Sequence, residues 1–332
     1  MTLVDSEIES FNKTCQKKEV KEFNDFLNSI RPYLDRLHKS WSEIDKGITT
    51  ESLKELNCSL NDMIKIVLDF YSNLDKDLYN TLINILNDEK TKKDYQEVSP
   101  NNKWRINYTK YEPDGTLCIG LRPQNNLYGL ASVCHEFAHL LSRFGQDSTN
   151  SKSDLFPEVE SMFLEKVFIE YLYNINFITE EERKTYFRFY KSSVNDKLQE
   201  IFYENDILNY LNGNSLTNEN LKALEEMIAK SPKAQDFYRR LSFMQNDVHS
   251  AWYFIYVLGE VISELLFEEY RKEPQKTMAK FKKYLGHTAD IDPQTMLKDL
   301  TNKSLEEAIE TYLEINKAVS YTHLTLPTIL RV

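Results

Sequence analysis

Two histidines and a glutamate stand inside an otherwise apolar stretch, Val133 to Leu141, VCHEFAHLL. No other feature restricts the fold of the chain as much. The apolar residues Leu130, Val133, Phe137, Leu140 and Leu141 recur at helical spacing, so the stretch is expected to form a buried helix. Polar side chains in such a helix need partners. Positions i and i+4 share one face of a helix, so His135 and His139 can both reach a single ion. Glu136, rotated by about 100°, can reach a water beside that ion instead. This is the logic of H-E-x-x-H, in which two imidazoles bind zinc and a carboxylate serves as base.

A catalytic zinc site needs a third protein ligand and an open position. No histidine follows at short spacing, because Gly145 stands where an H-E-x-x-H-x-x-G-x-x-H site would have its third histidine. The ligand is therefore expected on the next helix, LFPEVESMFLEK, which offers Glu158, Glu160 and Glu165. Glu158 and Glu165, seven apart, share a face two turns apart. The economical reading makes Glu158 the ligand and Glu165 a carboxylate that orients an imidazole. Glu160 points elsewhere and reads as a solvated charge.

The rest of the chain points to a mainly α fold. Only 8 glycines and 9 prolines occur in 332 residues, which favours long helices over many strands and turns. Helical periodicity covers about 5–46, with Pro32 as a break or kink, then 51–72, 75–90, 127–144 and 156–175. Thr179 and Glu182 form a capping box for a further helix. More helices are expected over about 217–230, 233–247, 249–272 and 274–285, and one from near Thr295. The exception is 99–122, where Trp104, Ile106 and Tyr108, then Leu117, Ile119 and Leu121, alternate around Pro113-Asp114-Gly115. That pattern predicts a small antiparallel β-hairpin beside the H-E-x-x-H helix.

Composition excludes several classes. The net charge is −11 with no basic stripe to offset it, so no nucleic-acid partner is expected. The longest apolar run, Ala251 to Gly259, is too short to span a membrane. Cys15, Cys58, Cys118 and Cys134 show no paired spacing and read as reduced thiols of a cytoplasmic protein. The N-terminus lacks a signal-peptide pattern, and no obligate protein partner is evident. The C-terminal VSYTHLTLPT resembles the in-frame translation of a transposon-type sequencing adaptor. The expected organisation is an N-terminal helical segment at 1–64 packed on a catalytic domain at 65–318. Residues 319–332 are expected to be a non-native tail, with the natural chain continuing differently.

HEFAHLL and LFPEVESMFLEK together resemble the zinc oligopeptidases of the oligoendopeptidase F and thimet oligopeptidase family. That family's pattern runs H-E-[FL]-G-H, then a loop, then F-x-E-x-x-S-x-x-x-E. Phe156, Glu158, Ser161 and Glu165 fall on its second part. The segments 70–88 and 115–139 resemble the helix and edge strand leading into the active helix, and HSAWYFIYVLGEVIS (249–263) resembles the tyrosine-bearing helix. The likeness covers about residues 65–285.

The resemblance implies one zinc ion per chain, held by His135, His139 and Glu158, with Glu136 as general base. Tyr256 and Tyr253 would bond the oxyanion and His249 would contact substrate. The strand Leu117 to Leu121 would be the edge along which a short peptide lies. Three departures stand out: Ala138 replaces a glycine, Ser142 replaces a histidine, and no glycine-rich loop precedes the tyrosines. The implied activity is hydrolysis of short unstructured peptides. A related zinc carboxypeptidase, which WYFIYVLGE also resembles, and a non-catalytic helical peptide-binding scaffold are the alternatives.

Overall fold

The computed structural model describes residues 5–44, 47–97, 107–143, 155–228, 249–285 and 293–324. The chain forms two compact units, one drawn from 1–40 and 194–257, the other from 41–193 and 258–332. Residues 41–64, grouped with the N-terminal segment in the sequence reading, fall within the second unit.

In the first unit, α1 (Asp5–Cys15) and the first part of α2 (Lys18–Ser42) pack with the later part of α7 (Glu180–Leu211) and with α8 (Asn218–Ile228). Their shared core contains Ile8, Phe11, Val20, Ile207, Leu208, Leu211 and Leu224. Asn24 and Asn28, one turn apart on α2, exchange side-chain amide bonds of 2.8–3.0 Å with Asn205 and Asn209 on α7. Pro32 lies inside α2 without ending it, and the break in the expected 5–46 helix falls instead between Cys15 and Lys18.

The second unit carries the sheet and the H-E-x-x-H helix. Its entry helices are α3 (Leu60–Leu74) and α4 (Lys76–Asn87). Each starts where a side chain satisfies free amides: Ser59 with Asp62 in a capping box, and Asp75 accepting from Asp77 and Leu78. The capping box read at Thr179 and Glu182 forms at the start of α7, with bonds of 2.7 and 3.2 Å.

The predicted hairpin exists as β2 (Tyr108–Tyr111) and β3 (Leu117–Leu121) around a turn in which Gly115 adopts a φ of 81°. Trp104 and Ile106 lie outside the described residues. The sheet is larger than the expected hairpin. β1 (Lys92–Tyr95) adds in parallel to the other side of β3, giving the order β1-β3-β2 and a mixed sheet. β3 is therefore the central strand and not an edge, because its backbone groups are paired on both sides. Gly120 of β3 is required there: a Cβ would stand 2.3 Å from the ring of Tyr108, whose hydroxyl is bonded to Asp94 at 2.8 Å.

Behind the sheet run α5 (Leu127–Arg143) and α6 (Leu155–Asn174). Among the described residues they make the most extensive helix pairing. Every residue of α6 from Phe156 to Ile169 is buried, so this helix has no solvated face along that stretch. The later part of α9 (His249–Lys272) closes onto α6 at Gly259, where a Cβ would meet Met162 Sδ at 2.5 Å. The helices α10 (Pro274–Lys282), α11 (Pro293–Thr301) and α12 (Leu305–Leu324) complete the second unit. Among the described residues no helix is long and apolar enough to cross a membrane.

Candidate metal centre

Burying fourteen consecutive residues of α6 takes Glu158, Glu160, Ser161, Glu165 and Lys166 out of water with them. Each must find a partner inside the protein. Where they find one defines the site.

His135 and His139 lie one turn apart on α5, and their rings sit edge-on with centroids 4.7 Å apart. Their Nε2 atoms are 3.1 Å from each other. Glu158 reaches both from α6: one oxygen is 3.6 Å from His135 Nε2 and the other 3.6 Å from His139 Nε2. Tetrahedral coordination with bonds of about 2.0–2.1 Å separates neighbouring donor atoms by about 3.3–3.4 Å. The three side chains therefore approach one another at the spacing that one small divalent cation requires. They are the group of His, Cys, Asp and Glu side chains able to hold a metal among the described residues.

Glu165 lies two turns beyond Glu158 on the same face of α6, and its Oε2 is 2.9 Å from His135 Nδ1. A carboxylate acceptor fixes the proton on Nδ1 and leaves the Nε2 lone pair directed at the triad. The other Glu165 oxygen accepts from the buried Tyr186 hydroxyl of α7. His139 Nδ1 is buried with no hydrogen-bond partner among the described residues.

Glu136 is buried beside the triad. The β2 residue Thr109 donates to its Oε2 at 2.8 Å, so the sheet holds the carboxylate in place. Burial pushes the Glu136 carboxyl up to about 7, against the opposing pull of His135 and Thr109. Burial alone would hold the His135 imidazole down, but the bond to Glu165 and the charge of Glu158 carry it up to about 9. His139 is pushed well below its ordinary value by burial and by the neighbouring His135. The carboxylates of Glu165, Glu158 and Glu136 all favour positive charge at His135, which suits a cation at the triad.

Glu160 is not solvated. It is wholly buried and accepts from the Ser142 hydroxyl of α5, and burial raises its carboxyl well above the ordinary range. The periodicity that turns Glu160 away from Glu158 is sound, but α6 has no wet face for it to turn toward. Ser142 thus joins the two helices.

Tyr253 and Tyr256 lie on the first turns of α9, in the first compact unit. Tyr256 packs edge-on against Trp252, with centroids 5.9 Å apart, and Lys197 Nζ stands 4.8 Å from its ring centre. α9 begins at His249, whose side chain lies outside those described. Sequence reasoning missed Thr109 and Tyr186, which carry no motif of their own. The alternation of β2 could have singled out Thr109 as facing α5.

The second unit frames a helical peptidase fold. Across its described length the chain shares this fold with solved peptidases. A protein from Bacillus anthracis str. Ames described as an oligoendopeptidase F matches with a TM-score of 0.57 and 12% identity, over 97% of this chain and 57% of that one. Pz peptidase A with inhibitor 2 matches with a TM-score of 0.57 and 13% identity, over 96% of this chain and 59% of the other. A protein from Chlamydophila abortus described as a peptidase gives a TM-score of 0.51 at 14% identity, covering 96% of this chain and 56% of that one. The chain thus spans less than three-fifths of the length of these structures. No protein-family model matches the sequence, and no curated protein matches it.

Proposed function

We propose that this chain is a zinc-dependent peptidase that hydrolyses internal bonds of short, unstructured peptides. The observation that carries the reading is the meeting of His135 Nε2, His139 Nε2 and the Glu158 carboxylate beside a buried, oriented Glu136. Two imidazoles and one carboxylate with a further position open are the donor set of catalytic zinc. When bound there, zinc supplies Lewis acidity toward a carbonyl and makes water nucleophilic near neutral pH.

The protein's own groups have separable parts in this reading. Glu136 removes the proton of the attacking water and returns it to the leaving amine. Thr109 keeps the Glu136 carboxylate in position, and Glu165, backed by Tyr186, keeps the His135 ring in its tautomer. The peptide lies along β2 rather than β3, because β2 is paired on one side only among the described residues and packs against α5. Main-chain pairing with such an edge is largely blind to side chains, which fits a broad peptidase. Tyr256, Tyr253 and His249 keep the oxyanion and substrate roles assigned to them on the resemblance alone.

The test is hydrolysis of internally quenched peptides before and after chelation. Cleavage is expected to disappear with chelator and return with one equivalent of zinc. Product masses are expected to show internal cleavage of a peptide with an amidated C-terminus. A carboxypeptidase would leave that peptide intact, and a non-catalytic scaffold would cleave nothing.

A further inference from the structure

The strand β2 runs alongside α5 in the same direction, and alternate residues touch it at successive levels. Asn107, just before the strand, donates to Ser132 at 2.6 Å; Thr109 donates to Glu136 at 2.8 Å; the Tyr111 hydroxyl donates to the carbonyl of Arg143. The edge of β2 that is unpaired among the described residues therefore runs in the same direction as α5, with Glu136 partway along that line and Arg143 at its far end.

Arg143 is seven residues beyond Glu136 and four beyond His139, so it projects from nearly the same line of the helix as the glutamate. Its charge acts on both Glu136 and His139. Yet no carboxylate pairs with its guanidinium among the described residues, and its Nε is buried without a hydrogen-bond acceptor. A guanidinium N–H held inside without an acceptor is costly, by about 1–3 kcal/mol or more. The planar fork of five donors matches a carboxylate better than any other common group in a peptide.

We infer that Arg143 is a carboxylate-binding subsite at the far end of that line, a reading that rests on the peptidase function proposed above. Seven helical residues advance about 10 Å, and an extended peptide covers about 3.3 Å per residue. The carboxylate bound is thus about three residues from the bond beside Glu136. It belongs either to an acidic side chain at that position or to the C-terminus of a peptide ending there. In the latter case the enzyme would release short C-terminal peptides rather than single residues.

The experiment uses a set of matched peptides: C-terminal acid against C-terminal amide, and glutamate against glutamine at each of three positions on either side of the cleaved bond. Both kcat/KM and binding, by calorimetry on the same peptides, are measured for the wild type, Arg143→Gln and Arg143→Lys. The wild type is expected to favour one carboxylate-bearing peptide by about 10- to 100-fold. That preference should collapse toward unity in Arg143→Gln and survive in part in Arg143→Lys. Which arm shows the preference identifies the source of the carboxylate. Equal treatment of all peptides by the wild type, or a preference that persists in Arg143→Gln, overturns the inference. Arg143 would then be only a cation closing the C-terminal end of α5. The binding arm keeps the two claims apart, because a carboxylate preference without any cleavage would sink the peptidase reading and leave the subsite standing.

Discussion

Glu136→Gln is expected to lower kcat for peptide hydrolysis by about three orders of magnitude while leaving the bound metal in place. The substitution preserves the shape of the side chain and removes only its capacity to take a proton. Thr109 can still bond the amide oxygen, and the ligand atoms on His135, His139 and Glu158 are untouched. The thermal midpoint should stay level or rise. Glu136 is buried, and its carboxyl is raised to about 7 chiefly by that burial, so a neutral amide relieves a desolvated charge. Lost activity with retained or improved stability is the signature of a group kept for chemistry. Cleavage that survives Glu136→Gln would remove the general-base role.

Lys166→Met is expected to be the most destabilising single change outside the metal centre, by about 3–5 kcal/mol. Lys166 is 3% exposed and lies 2.9 Å from Glu260 and 2.8 Å from Glu264, both on α9. Glu260 also accepts from Tyr312, which in turn accepts from Trp41. Removing the lysine leaves two buried carboxylates with Lys191, 3.7 Å from Glu264, as the nearest remaining cation among the described residues. The pH dependence gives the change a direction. Burial would raise the Glu264 carboxyl, but Lys166 and Lys191 outweigh it and hold it at about 2. A depressed carboxylate contributes stability above its unfolded value of about 4.3, and that contribution is lost as pH falls toward 2. In Lys166→Met burial prevails and the carboxyl shifts upward. The sign reverses, and the variant should lose further stability as pH rises through about 4.3 and beyond. Urea denaturation of both proteins from pH 4 to pH 8 measures it. A parallel pair of curves would show that the lysine does not govern Glu264.

Much of this arrangement can be read from local spacing. The i, i+4 histidines, the seven-residue interval from Glu158 to Glu165 and the turn at Pro113-Asp114-Gly115 each fix a relation within one element or between neighbours. The structure places the corresponding groups together. What is not local is harder to read. β1, with the sequence KKDY, shows no apolar alternation because most of it is exposed at the border of the sheet. Without it, β3 looks like an edge. The burial of four of its five residues, LCIGL, is the mark of a central strand, and an apolar run of that kind carries the signal in the sequence. Glu160 was misplaced for a related reason, since periodicity gives the direction of a side chain but not what covers that direction. The partnership of α2 with α7 rests on contacts such as Asn24 to Asn209, separated by 185 residues, which no window along the chain can reveal.

The central claim is that His135, His139 and Glu158 hold one metal ion. Zinc content per chain, measured on protein dialysed against a weak chelator, tests it most directly. The wild type and Glu136→Gln should each retain one zinc per chain, and His135→Ala, His139→Ala and Glu158→Ala should each retain almost none while staying folded by circular dichroism. A wild type without zinc, or a Glu158→Ala protein that keeps a full equivalent, would contradict the account.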